Sequence, residues 1–434
     1  MTDKAVFSRR TFLKGSFSLG AMSLLAGSQV YAQTRPDGVV RLEFMYPVGV
    51  SGDINRIVTA MIENFNSAHP DVHVQAIYAG NYDNTEQKVI TALGVGQPPA
   101  AWLPINSSLQ TFLGMNALAD LTDLAKASDV YPDFYSSFLS MATAEGRLYG
   151  LPFQPSTPVL YLNQQACGQA GLSQAPATWD ELFDQAKVLT RRNAQGTQQW
   201  GLTIGGGWHD WIFECWVRQN GLTPWQADRV LFDAPEAVHA LEFWRKMVGA
   251  GVMPAASTWE GSANDFMAGR SAMLYHSTGS LTNLRASSSF PVRAALMPKN
   301  KVQGACFWGG AIHIAKNQPE KHIQAAWRFA YWMTNTENSA AWSRATGYLA
   351  VRKSSWESPA MAQYAHDVPD ALIALRQAEF AGPFLQVPAY HKVREYLKSA
   401  IDRCLAGELS PEAALKQAAD QSNREIARLL RRRA

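Results

Sequence analysis

The chain has 434 residues, 47% of them hydrophobic and 17% charged, which excludes a disordered polymer and exceeds what one compact core accommodates. Two domains are therefore the starting expectation. Of 39 basic and 36 acidic side chains, Lys4, Arg9, Arg10, Lys14 and Asp3 fall within residues 1–32, so the remainder is charge-balanced and offers no footprint for nucleic acid.

Ser8-Arg9-Arg10-Thr11-Phe12-Leu13-Lys14 is a paired-arginine pattern, followed by a weakly apolar run from Gly15 to Gly27 and the small residues of Val30-Tyr31-Ala32. This order predicts a twin-arginine export signal cut after Ala32, and hence a periplasmic protein. The apolar run is too short to span a bilayer, and no other reaches the necessary ~18 residues. Beyond it, Val39–Tyr46 alternates like a strand, and a helix follows from Gly52, with Asp53 near its start. Pro70-Asp71 breaks that helix before a second alternating strand, Val72–Tyr78. Gly80-Asn81-Tyr82 reads as a turn, Thr85–Leu93 as a helix, Ala100–Ile105 as a third strand and Ser108–Met115 as a further helix. This β-α-β-α opening predicts an α/β lobe.

The segment Tyr149–Asn163 places Pro152, Pro155 and Pro158 within seven residues, then the β-prone run Val159-Leu160-Tyr161-Leu162. Prolines remove amide donors and hold the backbone extended, so a stiff, strandless connector between two lobes is expected, with Ser156 and Thr157 at the mouth. Thr178 with Glu181 opens a helix as a capping box, Trp200–Ile204 is a strand, and Ala234–Val248 is helical. Phe266–Tyr275 combines a helix end, a glycine turn and a strand, which delivers His276–Ser280 to a loop before a helix at Leu281–Leu284. Strands are expected at Val292–Pro298 and Phe307–Ala315 with a second crossing near Lys299–Gly304, and helices at 319–345. Leu349–Arg352 would be a third crossing, and helices run from there to Arg433. Cys167, Cys215, Cys306 and Cys404 lie far apart. Free buried thiols are expected, because twin-arginine substrates fold before export; up to two disulfides in three pairings stay open.

The ordered set Gly80-Asn81-Tyr82, Ser156-Thr157-Pro158-Val159-Leu160-Tyr161-x-Asn163, Thr178-Trp179, Gly207-Trp208-x-x-Trp211 and Gly269-Arg270-Ser271-Ala272-Met273 continues with Ser277-x-Gly279-Ser280-Leu281, Gly309-Gly310-Ala311 and Thr346-Gly347-Tyr348-Leu349. It resembles the extracellular solute-binding proteins of ABC importers, most closely their sn-glycerol-3-phosphate-binding branch. The resemblance implies an α/β, two-lobe periplasmic-binding-protein fold of the maltose-binding type (type II), its lobes joined by three hinge crossings. Residues 33–150 with 305–349 would form one lobe and 151–304 with 350–434 the other. It implies a monomer that traps a small ligand in the cleft, needs no cofactor or metal, and delivers to transmembrane permease subunits driven by a cytoplasmic ATPase. By motif, the ligand shell would comprise Tyr82, Ser156, Trp208, Ser277, Gly310, Tyr348 and Arg394.

Physical chemistry gives several of these residues a task. An arginine suits a phosphate, Ser277 with the amides near Gly279 precedes a helix and suits an anion, Gly310 lets backbone approach, and Trp208 offers a flat face. Each also has a plainer reading: Arg394 as a surface ion pair with a neighbour such as Glu395, Ser277 as a turn hydroxyl, Trp208 and Trp211 as a core pair, Tyr348 as a partly buried tyrosine. Asn106 stands where the glycerol-3-phosphate branch carries a Glu, which weakens hydroxyl recognition and points to a glycerophosphodiester, another polyol phosphate or a sugar. Tyr46 and Asp53 are further cleft candidates. The alternatives are a sugar or oligosaccharide binder and, more remotely, a periplasmic phosphodiesterase or glycosidase. Against an enzyme, the nine histidines are scattered and neither a Gly-x-Ser-x-Gly elbow nor a P-loop occurs.

Overall fold

The computed structural model describes residues 38–47, 53–194, 196–226 and 228–433, so the expected export signal lies outside the described residues. β1 (Val40–Tyr46) turns Leu42, Phe44 and Tyr46 inward, as alternation demands. α1 (Ile54–Ala68) meets them with Ile54, Val58, Met61, Ile62 and Phe65, which share one face at three- and four-residue spacing. β2 (Val72–Tyr78) runs parallel to β1, from Val40 opposite Val72 to Tyr46 opposite Tyr78. α2 (Tyr82–Gly94) starts earlier than the expected Thr85, because Asn81 caps it: the Asn81 side chain accepts from the Asn84 amide and the Asn84 side chain from the Asn81 amide. β3 shortens to Ala101–Trp102, since Pro104 cannot continue a ladder; Ile105 makes only an isolated bridge to Gly310.

β4 (Gly150–Pro152) corrects the expectation of a strandless connector. It lies at a sheet edge, where a proline's missing donor is tolerated. β5 (Pro158–Asn163) begins the second lobe and is buried at every residue, as a strand covered on both faces must be. There follow α3 (Trp179–Leu189), β6 (Thr203–Ile204), α4 (His209–Gln219), β7 (Met273–Ser277), α5 (Leu281–Ser287) and β8 (Val292–Ala295). Thr178 caps α3 by accepting from the Glu181 amide, while the Glu181 carboxylate takes the Ala177 amide at 2.8 Å.

β9 (Ala305–Phe307) and β10 (Ala311–Ile314) lead back to the first lobe, where α6 (Glu320–Met333) and α7 (Thr336–Thr346) pack. β11 (Ala381–Pro383) pairs in parallel with β9, and α8 (Tyr390–Leu405) and α9 (Pro411–Arg433) close the second lobe. One sheet has the order β2-β1-β3-β10-β4 and the other β6-β7-β5-β8. Phe44, Phe65, Phe329 and Trp342 centre the first core, and Trp179, Trp216, Trp244 and Phe384 the second. Lys301 and Val302 both donate to the Gln219 carbonyl, and Ala305 and Cys306 join the second core. Phe307 is the next residue to reach the first core, so the passage falls later than the expected Lys299–Gly304. Among the described residues no helix is long and apolar enough to cross a membrane.

Candidate ligand-binding site

The sheet ends and crossings bring the residues singled out above to the seam between the lobes. Tyr82, the first residue of α2, is 3% exposed and packs into the second core together with Ile105, although both belong to the first lobe. Its hydroxyl accepts from Gln154 Nε2 and also meets the Tyr348 hydroxyl; burial pushes its pKa up. Tyr348 stacks on Trp342 with ring centroids 5.5 Å apart and lies fully inside the seam. Gly279 faces it: a Cβ there would fall 2.7 Å from the Tyr348 ring.

Ser156 and Trp308 exchange backbone bonds of 2.7 and 2.9 Å, and the Ser156 hydroxyl donates to the Trp308 carbonyl at 3.0 Å. Two crossings are thereby stitched together. Next to them, the Asn106 amide nitrogen donates to the Gly309 carbonyl at 2.8 Å. Its side chain is fully buried, and among the described residues neither Oδ1 nor Nδ2 finds a partner; the same holds for Ser107 Oγ and Thr157 Oγ1. Ser277 ends β7 and accepts from the Gly279 amide at 3.1 Å, which leaves its O–H to donate. The neighbouring His276 is held neutral, its pKa pushed down to about 3 by burial. Gly310 has a packing reason as well as the expected one. A Cβ would lie 2.5 Å from the Pro104 carbonyl, so the packing of the chain against Pro104 requires the glycine.

Arg394 on α8 is not the surface residue of its plainer reading; Glu395 pairs with Lys398 instead. It is 1% exposed, and its guanidinium lies 4.6 Å over Trp208 and 4.9 Å over Trp308. Its Nε donates to Asp210 at 2.8 Å, one terminal nitrogen to Asp83 at 3.2 Å, and the other to the Gly207 carbonyl at 2.6 Å. Burial opposes its charge, but Asp210, Tyr390 and Asp83 outweigh that and raise its pKa. One turn away, His391 Nε2 meets the buried carboxylate of Glu86, which also accepts from Ser108. Burial opposes the His391 charge too, and Glu86 reverses the effect, so its pKa is raised.

Asp83, Asp210, Trp308, Glu86 and His391 were not anticipated as a group. A signal exists: the acids at 83 and 86 and the bases at 391 and 394 share one three-residue helical spacing. Of the further candidates, Tyr46 donates to Asn55 at 2.7 Å and belongs to the first core, while Asp53 forms an exposed ion pair with Arg56 at 2.6 Å. Among the described residues no group of three or more His, Cys, Asp or Glu is placed to hold a metal.

Comparison with known proteins places this geometry in context. The sn-glycerol-3-phosphate-binding periplasmic protein UgpB of Salmonella typhimurium is 28% identical over 410 residues, covering 87% of this chain and 91% of that protein. The crystal structure of UgpB from Mycobacterium tuberculosis in complex with glycerophosphocholine superposes with a TM-score of 0.82 at 24% identity, covering 91% of this chain and 100% of that one. Maltose-bound T. maritima MalE3 superposes with a TM-score of 0.78 at 20% identity, covering 89% and 99%. At such identities the likeness speaks to the fold, a type II, maltose-binding-protein-like arrangement of two α/β lobes. The family model for bacterial extracellular solute-binding proteins matches residues 60–369, and the chain belongs to that family.

Proposed function

We propose that this chain is the periplasmic substrate-binding component of an ABC importer. It captures sn-glycerol-3-phosphate or a glycerophosphodiester, such as glycerophosphocholine, between its lobes. It hands the ligand unaltered to the transmembrane permease subunits and their cytoplasmic ATPase. We read it as a monomer exported by the twin-arginine route and cut after Ala32, with the first lobe taking the chain up again at Phe307 rather than at residue 305 and keeping it through Val351.

The observation that carries this reading is that buried polar atoms on Asn106, Ser107 and Thr157 find no protein partner among the described residues. Buried donors and acceptors are costly unless met, and a polyol phosphate has hydroxyls and oxygens to meet them. Ser277 adds an O–H donor and Trp208 an aromatic face, and the relatives named for sn-glycerol-3-phosphate align over most of their length. Such a ligand touches both lobes only when they are together, so binding favours closure.

The test is thermal stability of the purified protein with glycerol-3-phosphate, glycerophosphocholine and common sugars. A ligand at 100 times its dissociation constant adds about 2.7 kcal/mol. Stabilisation by either phosphate is expected; stabilisation by sugars alone would replace this reading with the sugar-binding one. Incubation with glycerophosphocholine should release no choline.

A further inference from the structure

Cys215 in α4 and Cys306 in β9 place their sulfurs 3.2 Å apart, and both residues are fully buried. The contact is held from both sides. Trp211 Nε1 donates to the Cys306 carbonyl at 3.0 Å, and Cys306 Sγ reaches back to the Trp211 carbonyl at 3.6 Å. α4 and β9 are therefore in register around the pair, and neither sulfur has to search for the other. Cys167 and Cys404 are also buried, but among the described residues neither has a sulfur neighbour.

We propose that Cys215 and Cys306 form a dithiol–disulfide modification site, converted to one cystine by a disulfide oxidant of the export compartment. The sulfurs must close from 3.2 Å to a bond of about 2.05 Å, roughly 1 Å of travel shared between two side chains. In the first step one cysteine thiolate attacks the oxidant's S–S bond, forming a mixed disulfide and expelling one thiol. The second cysteine then displaces the other thiol. Two electrons pass from the pair to the oxidant, two S–H bonds give way to one S–S bond, and both protons end on the oxidant's thiols. Burial and the adjacent thiol hold the Cys306 sulfur protonated, so exchange proceeds through an opening of the α4–β9 contact.

The bond has a specific mechanical position. α4 begins just after Trp208 and carries Asp210, while β9 leads directly into Trp308; these three residues surround Arg394. The cystine would join the two walls of that clamp.

The experiment incubates the folded full chain with oxidised glutathione, unfolds it in guanidinium, alkylates it with iodoacetamide and weighs it. Of the four cysteines, two are expected to take label, and peptide mapping should find the Cys215 and Cys306 peptides joined until reduced. Labelling of all four, or a cystine that contains Cys167 or Cys404, would overturn the proposal. Cys215→Ser and Cys306→Ser provide the second arm. Each should take three labels and melt at the same temperature with and without dithiothreitol, whereas wild type reduced before refolding should melt a few degrees lower than its oxidised form. A cystine in either variant would also sink it.

Discussion

The two sides of the seam between the lobes answer polarity in opposite ways. Where α2 meets α8, charge is matched by charge: Asp83 and Glu86 from one lobe face Arg394 and His391 from the other, and Asp210 completes the set. Along the crossings, Asn106, Ser107 and Thr157 keep buried donors and acceptors that no group among the described residues meets. The first side joins the lobes with the protein's own atoms. The second holds hydrogen-bonding capacity in reserve, at roughly 1–3 kcal/mol for each unmet group, which a polar ligand would recover. On the proposed function, closure and recognition fall to different residues, and substitution separates them.

The largest effect falls on the charged side. Asp210→Ala leaves the Arg394 guanidinium buried beside a half-exposed Asp83, and breaking a buried pair from one end costs about 3–5 kcal/mol. Urea unfolding measures it; a loss under about 1 kcal/mol would mean that Asp83 and Gly207 suffice.

Acid acts next. Burial lowers the pKa of His276 to about 3 and of His313 to about 4, against 6.5 in the unfolded chain. The unfolded state therefore binds protons that the native state refuses, and the stability these groups confer is present above pH 6.5 and lost as pH falls toward 4. Each contributes a slope of up to about 1.4 kcal/mol per pH unit. His391, with its raised pKa, has the opposite sign: its pairing with Glu86 is intact at lower pH and weakens as pH rises through its folded value. Urea midpoints between pH 5 and pH 7 check the histidine pair, and a flat profile that His276→Gln leaves unchanged would contradict it.

Affinity separates the two sides more finely. Arg394→Ala removes the group that ties the lobes and should weaken glycerol phosphate binding at least tenfold, about 1.4 kcal/mol by calorimetry; unchanged affinity would uncouple the Arg394 cluster from ligand capture. Asn106→Glu should move preference toward free glycerol-3-phosphate, by restoring a charged acceptor for its hydroxyls. Identical ligand ratios in the two proteins would make the position irrelevant. Smallest is Asp83→Asn: its carboxylate is 45% exposed, so the interlobar pair contributes about 0–1 kcal/mol. Scattering without ligand should show a modest shift toward separated lobes.

Local rules made the first lobe legible. Alternation over Val40–Tyr46 and the Ile54–Phe65 stripe are readable because each element answers to one face. The start of α2 was misplaced because Asn81 looked like a turn residue, while its partner Asn84 fell between the expected turn and the expected helix. Motif order nominated Tyr82, Ser156, Ser277 and Tyr348, all of which the fold buries. It could not find what holds Arg394. Asp210 is 184 positions away and Asp83 311, and only the folded chain brings those distances to zero. Gly310 was identified for a ligand's sake, yet its neighbour is Pro104.

Gly279 carries a last consequence. Its α-carbon faces the Tyr348 ring so closely that one added methyl would stand 2.7 Å from it, and its backbone torsion is one that alanine adopts without strain. Alanine at this position would act as a doorstop: a wedge of a single carbon expected to hold the halves ajar while each half stays folded. Such a variant would isolate the receptive form for study.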